Sequence, residues 1–200
     1  MERSRDGLRR PGAQRNRCGR DASDARSIRS SAQVGMKFCV DGFVVDVGDP
    51  RSDDVRSLLE QHLTFARGVT RPEDVHALDL DGLLDSTITF FALRARGELL
   101  GVGALKQLDP YHAELKSMHT AVAARRRGVG RAIVEHLLAV AGARGVRRVS
   151  LETGAGEAFA PARALYARAG FVPCGPFGDY EASPNSAFMT RLLSEDAEGA

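Results

Sequence analysis

The sequence predicts an α/β fold built on a mixed central β-sheet, and three observations predict it. Three strand-like runs, residues 87–95, 99–108 and 114–122, are separated by tight-turn residues, which implies antiparallel neighbours. Apolar residues then recur at helical spacing at Ile133, Val134, Leu137, Leu138 and Ala141, and a strand-like run follows at Arg148–Thr153. Strand, helix and strand in that order build a parallel pair, so the sheet is expected to be mixed.

Taken in order, residues 38–47 read as a strand around an Asp41-Gly42 turn. Asp49-Pro50 and Ser52-Asp53-Asp54 supply turn and cap residues. Val55, Leu58, Leu59, Leu63 and Ala66 then fall on one face, predicting a helix over 52–66. Pro72-Glu73-Asp74 opens a second short helix toward Leu80, which Gly82 closes. Arg96-Gly97-Glu98 and Asp109-Pro110-Tyr111 are the turns between the three strands. Gly145 ends the long helix. A further helix spans Ala160–Ala169 and stops at Gly170, with a strand at Phe171 and a closing strand over Ala187–Leu193.

The chain of 200 residues is long enough for one domain with its own core, and 43% hydrophobic with 27% charged residues is a globular balance. Residues 1–35 differ: nine Arg stand against four acids with almost nothing to bury. That segment is expected to be a disordered tail, and Met36 could be the true start with the tail an upstream extension. The domain is expected over 36–195, with 196–200 a C-terminal tail. Beyond the tail the balance turns acidic, which, with no aromatics interleaved among the tail's arginines, argues against nucleic acid as the partner. Cys18, Cys39 and Cys174 are an odd number without close spacing, which fits a reducing compartment. The longest apolar stretch, Arg131–Ala143, is broken by Glu135 and His136 and is too short for a membrane span. A cytoplasmic location is expected. The histidines are too scattered for a metal site, and none is expected.

The chemistry concentrates where the third strand meets the long helix, at Thr120-Ala121-Val122-Ala123-Ala124-Arg125-Arg126-Arg127-Gly128-Val129-Gly130-Arg131. A helix start offers unpartnered N–H groups and the positive end of a dipole, glycines allow close approach, and the arginines strengthen the field. The segment is an anion site or an Arg-rich solvated turn. It matches neither the dinucleotide fingerprint nor the Walker loop. It does match R-x-x-G-x-G through Arg125, Gly128 and Gly130. About 35 residues on, Leu165-Tyr166-Ala167-Arg168-Ala169-Gly170-Phe171 matches L-Y-x-x-x-G-F.

On those two motifs the chain resembles the GNAT superfamily of N-acetyltransferases over about residues 38–193, and Phe177–Met189 resembles small bacterial members of the YsnE type. The resemblance implies a GNAT fold, with about six to seven strands, about four flanking helices and a V-shaped cleft between two central strands. It also implies acetyl-CoA as co-substrate, held by Met118, His119 and Thr120 and by Arg125, Arg126, Arg127, Gly128, Val129, Gly130 and Arg131. Direct transfer to the primary amine of a small molecule or peptide is the implied reaction, and a homodimer is left open. The alternative is an acyl-CoA-binding regulatory module without turnover. Val122 and Arg126 stand where many members have Pro and Gly, and Phe159 where many have Asn, which removes a polar contact to the cofactor arm.

By the same resemblance Tyr166 protonates the departing thiolate; otherwise it is a packing tyrosine. For the base, Glu114, His119 and Glu152 lie on central strands. Strict alternation puts Glu114, Lys116, Met118 and Thr120 on one face and His119 on the other, and Glu114 is the residue chosen. Phe177, Asp179 and Tyr180 belong to a Gly/Pro-rich loop that either builds a substrate pocket or is anchored to the surface by its aromatics.

Overall fold

The computed structural model describes residues 38–40, 42–69 and 80–193. The expected tails at 1–35 and 196–200, and most of the expected helix at 72–80, lie outside the described residues. Strands β1 (Phe38–Val40) and β2 (Phe43–Val47) pair antiparallel, so one expected strand is two. Helix α1 follows at Asp53–Val69 and a single turn, α2, at Leu80–Leu83. Then come β3 (Ile88–Ala95), β4 (Glu98–Asp109), β5 (His112–Thr120), α3 (Val129–Ala143), β6 (Arg148–Gly154), α4 (Ala160–Arg168), β7 (Val172–Cys174) and β8 (Ser186–Leu192).

The described strands form one sheet of eight in the order β1-β2-β3-β4-β5-β6-β8-β7. The parallel pair is β5 and β6, joined by the α3 crossover, and the other described pairs are antiparallel. Helix α3 lies on one face, where Ile133, Val134 and Leu137 are almost wholly buried with Leu93, Leu105, Leu115 and Leu151. Glycine lets it come close. A Cβ on Gly103 would sit 2.6 Å from Met118 Sδ and 2.8 Å from Ile133 Cγ2. Helix α1 covers part of the other face, seating Val55, Leu58 and Leu59 against Phe90, Val102 and Ala104.

Strict alternation along β5 fails at one point. Register pairs run Lys116 with Ala104 and His119 with Val102, so the segment at Ser117 and Met118 is a bulge opposite Gly103, and Ser117 takes a left-handed φ of 51°. The extra residue shifts the side-chain parity. Met118 turns toward α3, while His119 joins the face that carries Lys116 and Glu114 and meets His62 of α1 at 5.1 Å between ring centroids. The expectation that His119 points away from Glu114 is therefore corrected.

The β5–β6 ladder runs from His112 with Arg148 to Leu115 with Leu151 and stops there. Both strands continue, to Thr120 and Gly154, without pairing further to each other. This is the expected V. At its closed end a directed hydrogen-bond chain locks the strands together. Arg148, which has only donors, gives one at 3.2 Å to His112 Nδ1, so His112 Nε2–H donates to Ser150 Oγ at 2.8 Å. Ser150 donates to Thr190 Oγ1 at 2.9 Å, and Thr190 to the Val149 carbonyl at 3.3 Å. The loop between β7 and β8 folds over this face. Its Phe177 and Tyr180 rings pack on Phe188, with centroids 6.0 and 5.6 Å away, and Phe177 also meets His112 at 5.6 Å.

Candidate active site

Where β5 and β6 part, a cavity of about 800 Å³ runs through the sheet. Of the site residues expected from sequence, Arg127 lies outside its lining and the others line it. One end is built by the β5–α3 junction. A short 3-10 turn at Val122–Ala124 leads into Arg125, then Arg126 with φ 60°, then Gly128 with φ 85° as the N-cap of α3. Gly128 has no side chain to cap the helix, so the N–H groups of the first turn and the positive dipole end remain available to an anion. Gly130 is confined for a different reason: a Cβ there would lie 3.1 Å from Leu165 Cδ2 and 3.6 Å from Thr120 Oγ1. Arg125, Arg126 and Arg131 add positive charge along the same wall.

Helix α4 delivers Tyr166 from the α3 side of the sheet. Its ring packs edge-on against Phe171 at 5.9 Å, and the side chain is 7% exposed. Burial, and then the negative charge of Glu152, raise its pKa well above that of an ordinary tyrosine, so it is a neutral phenol at physiological pH. Phe159 lies across Gly154 so closely that a Cβ on Gly154 would be 2.2 Å from its Cδ2, and it reaches Phe65 of α1 at 5.4 Å. The position expected to lack a polar contact is thus an aromatic bridge between the two walls of the cleft.

On the α1 side, Glu114 is 2% exposed. Its Oε1 accepts from Lys116 Nζ at 3.0 Å and from Tyr180 Oη at 2.5 Å, and Lys116 Nζ also donates to Tyr180 Oη at 2.6 Å. Burial and the adjacent carboxylate hold the Tyr180 phenol far above its ordinary pKa, so it stays a donor to Glu114. The loop expected either to build a pocket or to rest on the surface does neither alone: through Tyr180 it ties the base of the cleft. His119 is 9% exposed, and burial, with smaller contributions from His62 and Arg125, lowers its pKa to about 4. His62 is lowered by burial too. At neutral pH both rings are uncharged.

Sequence reasoning named the loop, Tyr166, Glu114 and, as one of two readings of its loop, Tyr180, but did not place His62 or Phe65 at the cleft. His62 carried a signal, since it falls at the helical spacing of Val55, Leu58, Leu59 and Ala66, where an apolar residue belongs. Among the described residues no cluster of three metal-ligating side chains occurs, and no helix is long and apolar enough to cross a membrane.

Residues 53–171 match the Acetyltransferase (GNAT) family. The chain is 43% identical over 149 residues to an uncharacterized N-acetyltransferase, YsnE, of Bacillus subtilis, an alignment covering 74% of this chain and 99% of that one. Among solved structures, a putative acyl-CoA N-acyltransferase from Klebsiella pneumoniae superposes with a TM-score of 0.63 at 24% identity, over 76% of this chain and 98% of that one. A GNAT acetyltransferase from Elizabethkingia anophelis with acetyl-CoA bound gives 0.58 at 16% identity, over 77% and 100%; at such identities the two share the fold. The parted strands, the uncapped glycine start of α3 and the match over 53–171 agree, and the chain belongs to the GNAT acetyltransferase family.

Proposed function

We propose that the protein transfers the acetyl group of acetyl-CoA to the primary amine of a small molecule or peptide by direct attack, in a cytoplasmic setting. The observation that carries this reading is the two-sided cleft, with an uncapped helix start and arginines at one end and a buried set of polar side chains at the other. The first-turn amides from Gly128 to Arg131, with Arg125, Arg126 and Arg127, would take the pyrophosphate. The β5 backbone at Met118, His119 and Thr120 would take the pantetheine arm and the thioester carbonyl. Backbone donors fixed before the reaction stabilise an oxyanion without reorganising, which is usually the largest catalytic contribution.

Tyr166 is the proposed acid. The departing thiolate becomes strongly basic as the C–S bond breaks, and a buried phenol that has kept its proton can supply it. Glu114, expected from sequence as the base, is proposed as a buried polar anchor of the acceptor end. Lys116 and Tyr180 hold its Oε1 in place.

The test has two stages. Calorimetry with acetyl-CoA should give saturable binding that Gly128→Val abolishes, because φ of 85° is forbidding for a β-branched residue. CoA release is then followed with polyamines, aminoglycosides, amino acids and N-terminal peptides. Binding without release for any amine would favour the regulatory module, and no binding at all would remove the loop assignment.

A further inference from the structure

We infer that His119, backed by His62, is the group that takes the proton from the acceptor amine. This rests on the acetyl-transfer reading above. Three buried polar atoms without a hydrogen-bond partner belong to residues lining the same cleft: His62 Nδ1, Ser117 Oγ and His119 Nε2. An unsatisfied buried polar group costs about 1–3 kcal/mol, so three in one place are retained against a standing penalty. Core packing alone does not call for them. An aliphatic residue at position 62 would continue the stripe of α1, and one at position 119 would pack against it.

The Ser117 bulge is what makes the pair. Without the extra residue, His119 would project toward α3 and Met118 toward α1; with it, the imidazole stands on the acceptor face, next to His62. The groups facing His119 are His62 from α1 and Arg125 from the loop, and neither is an anion that would hold an imidazolium permanently. The ring therefore rests neutral with a lone pair to offer. Glu114 is placed differently, since its Oε1 is already taken by a cation and a phenol.

In the step itself, the amine lone pair forms the C–N bond to the acetyl carbon while the C–S bond breaks. One N–H proton passes to an imidazole nitrogen of His119, directly or through a water, and the electron pair of the C–S bond leaves on sulfur, which takes the Tyr166 proton. The imidazolium then loses its proton to solvent and the phenolate regains one, so both side chains return to their starting states.

The test uses methylamine as acceptor, because the smallest primary amine is insensitive to pocket shape yet still must lose a proton. CoA release is measured with wild type, His119→Ala and His119→Gln, and acetyl-CoA binding is measured for each. We expect release about 100-fold slower in both variants, acetyl-CoA affinity within a few-fold, and recovery of His119→Ala, but not His119→Gln, by added imidazole, which fits only the smaller side chain's vacancy. Release within about three-fold of wild type overturns the inference. So does a loss that imidazole does not restore, a wild type that releases no CoA above the uncatalysed rate, or loss of acetyl-CoA binding in both variants, which would make His119 structural. Failure of the wild type itself to bind acetyl-CoA is a separate result and overturns the reading beneath.

Discussion

Gly101→Ala should loosen the junction on which the anion site is built. A Cβ at this position would lie 2.8 Å from Val129 Cγ1, 2.9 Å from Ile133 Cδ1 and 3.0 Å from the His119 carbonyl, all inside the 3.4 Å at which ordinary contact begins. The tip of Ile133 can swing aside. Val129 is β-branched with little rotamer freedom, and the His119 carbonyl belongs to the β4–β5 ladder. The first turn of α3 must therefore lift by roughly half an ångström, and overpacking of this kind costs about 1–3 kcal/mol. For a chain of this size that is a fall of roughly 2–12 °C in Tm, at about 2–4 °C per kcal/mol. The lift also moves the amides after Gly128, and losing one hydrogen bond to a charged group weakens acetyl-CoA by about ten-fold or more. Thermal unfolding and calorimetry read both effects. Gly142→Ala is the control, since its Cβ meets nothing within 4 Å on an exposed part of the same helix, and it should stabilise by about 0.5–1 kcal/mol. Unchanged Tm and affinity in Gly101→Ala would refute the close-approach argument.

Three further outcomes follow from the site. Tyr166→Phe removes one oxygen and keeps the ring against Phe171, so turnover should fall about 100-fold with acetyl-CoA affinity within a few-fold; a normal kcat in steady-state assays would return Tyr166 to a packing role. Arg126→Gly relieves a left-handed residue with φ 60°, so denaturant unfolding should show a gain of roughly 1 kcal/mol, and a loss would mean that the guanidinium holds the loop. His62, His112 and His119 all have folded-state pKa values below the ordinary 6.5, so the unfolded chain binds more protons than the folded one as pH drops through that range. Their contribution to stability is full above about pH 6.5 and is lost progressively toward pH 4, where His119 itself titrates. Melting curves across that window should fall with pH in wild type and fall less steeply in His119→Gln.

The pattern of apolar spacing made most of the fold legible. Val55 to Ala66 and Ile133 to Ala141 are stripes that only a helix can bury on one side, and the Asp109-Pro110-Tyr111 turn could only reverse the chain. The start of α3 was legible too, since Gly128 and Gly130 mark it through backbone geometry, which is local. What resisted was non-local. Nothing between His112 and Thr120 announces a bulge, because it shows only in the pairing of β5 with β4 opposite Gly103, and one unnoticed residue reverses every later side chain. Tyr180 is 66 residues from Glu114, and the bond between them depends on how the β7–β8 loop folds back, which no short-range signal encodes. Phe159 departed from the family pattern, and the reason appeared only with Gly154 beneath it and Phe65 opposite.

The short ladder between β5 and β6 has a mechanical consequence. Four register pairs join these strands, while β4 and β5 are paired through seven and β6 and β8 through seven. The sheet is thus two plates, one carrying α1 and α3 and the other α4, fastened along a seam about half as long as the β4–β5 and β6–β8 ladders that flank it. A small rotation about that seam widens the far end of the fork while barely straining its stem, much as tongs open. The His112–Ser150–Thr190 chain crosses the stem and the Phe65–Phe159 contact spans the opening, so one acts as the rivet and the other as a catch.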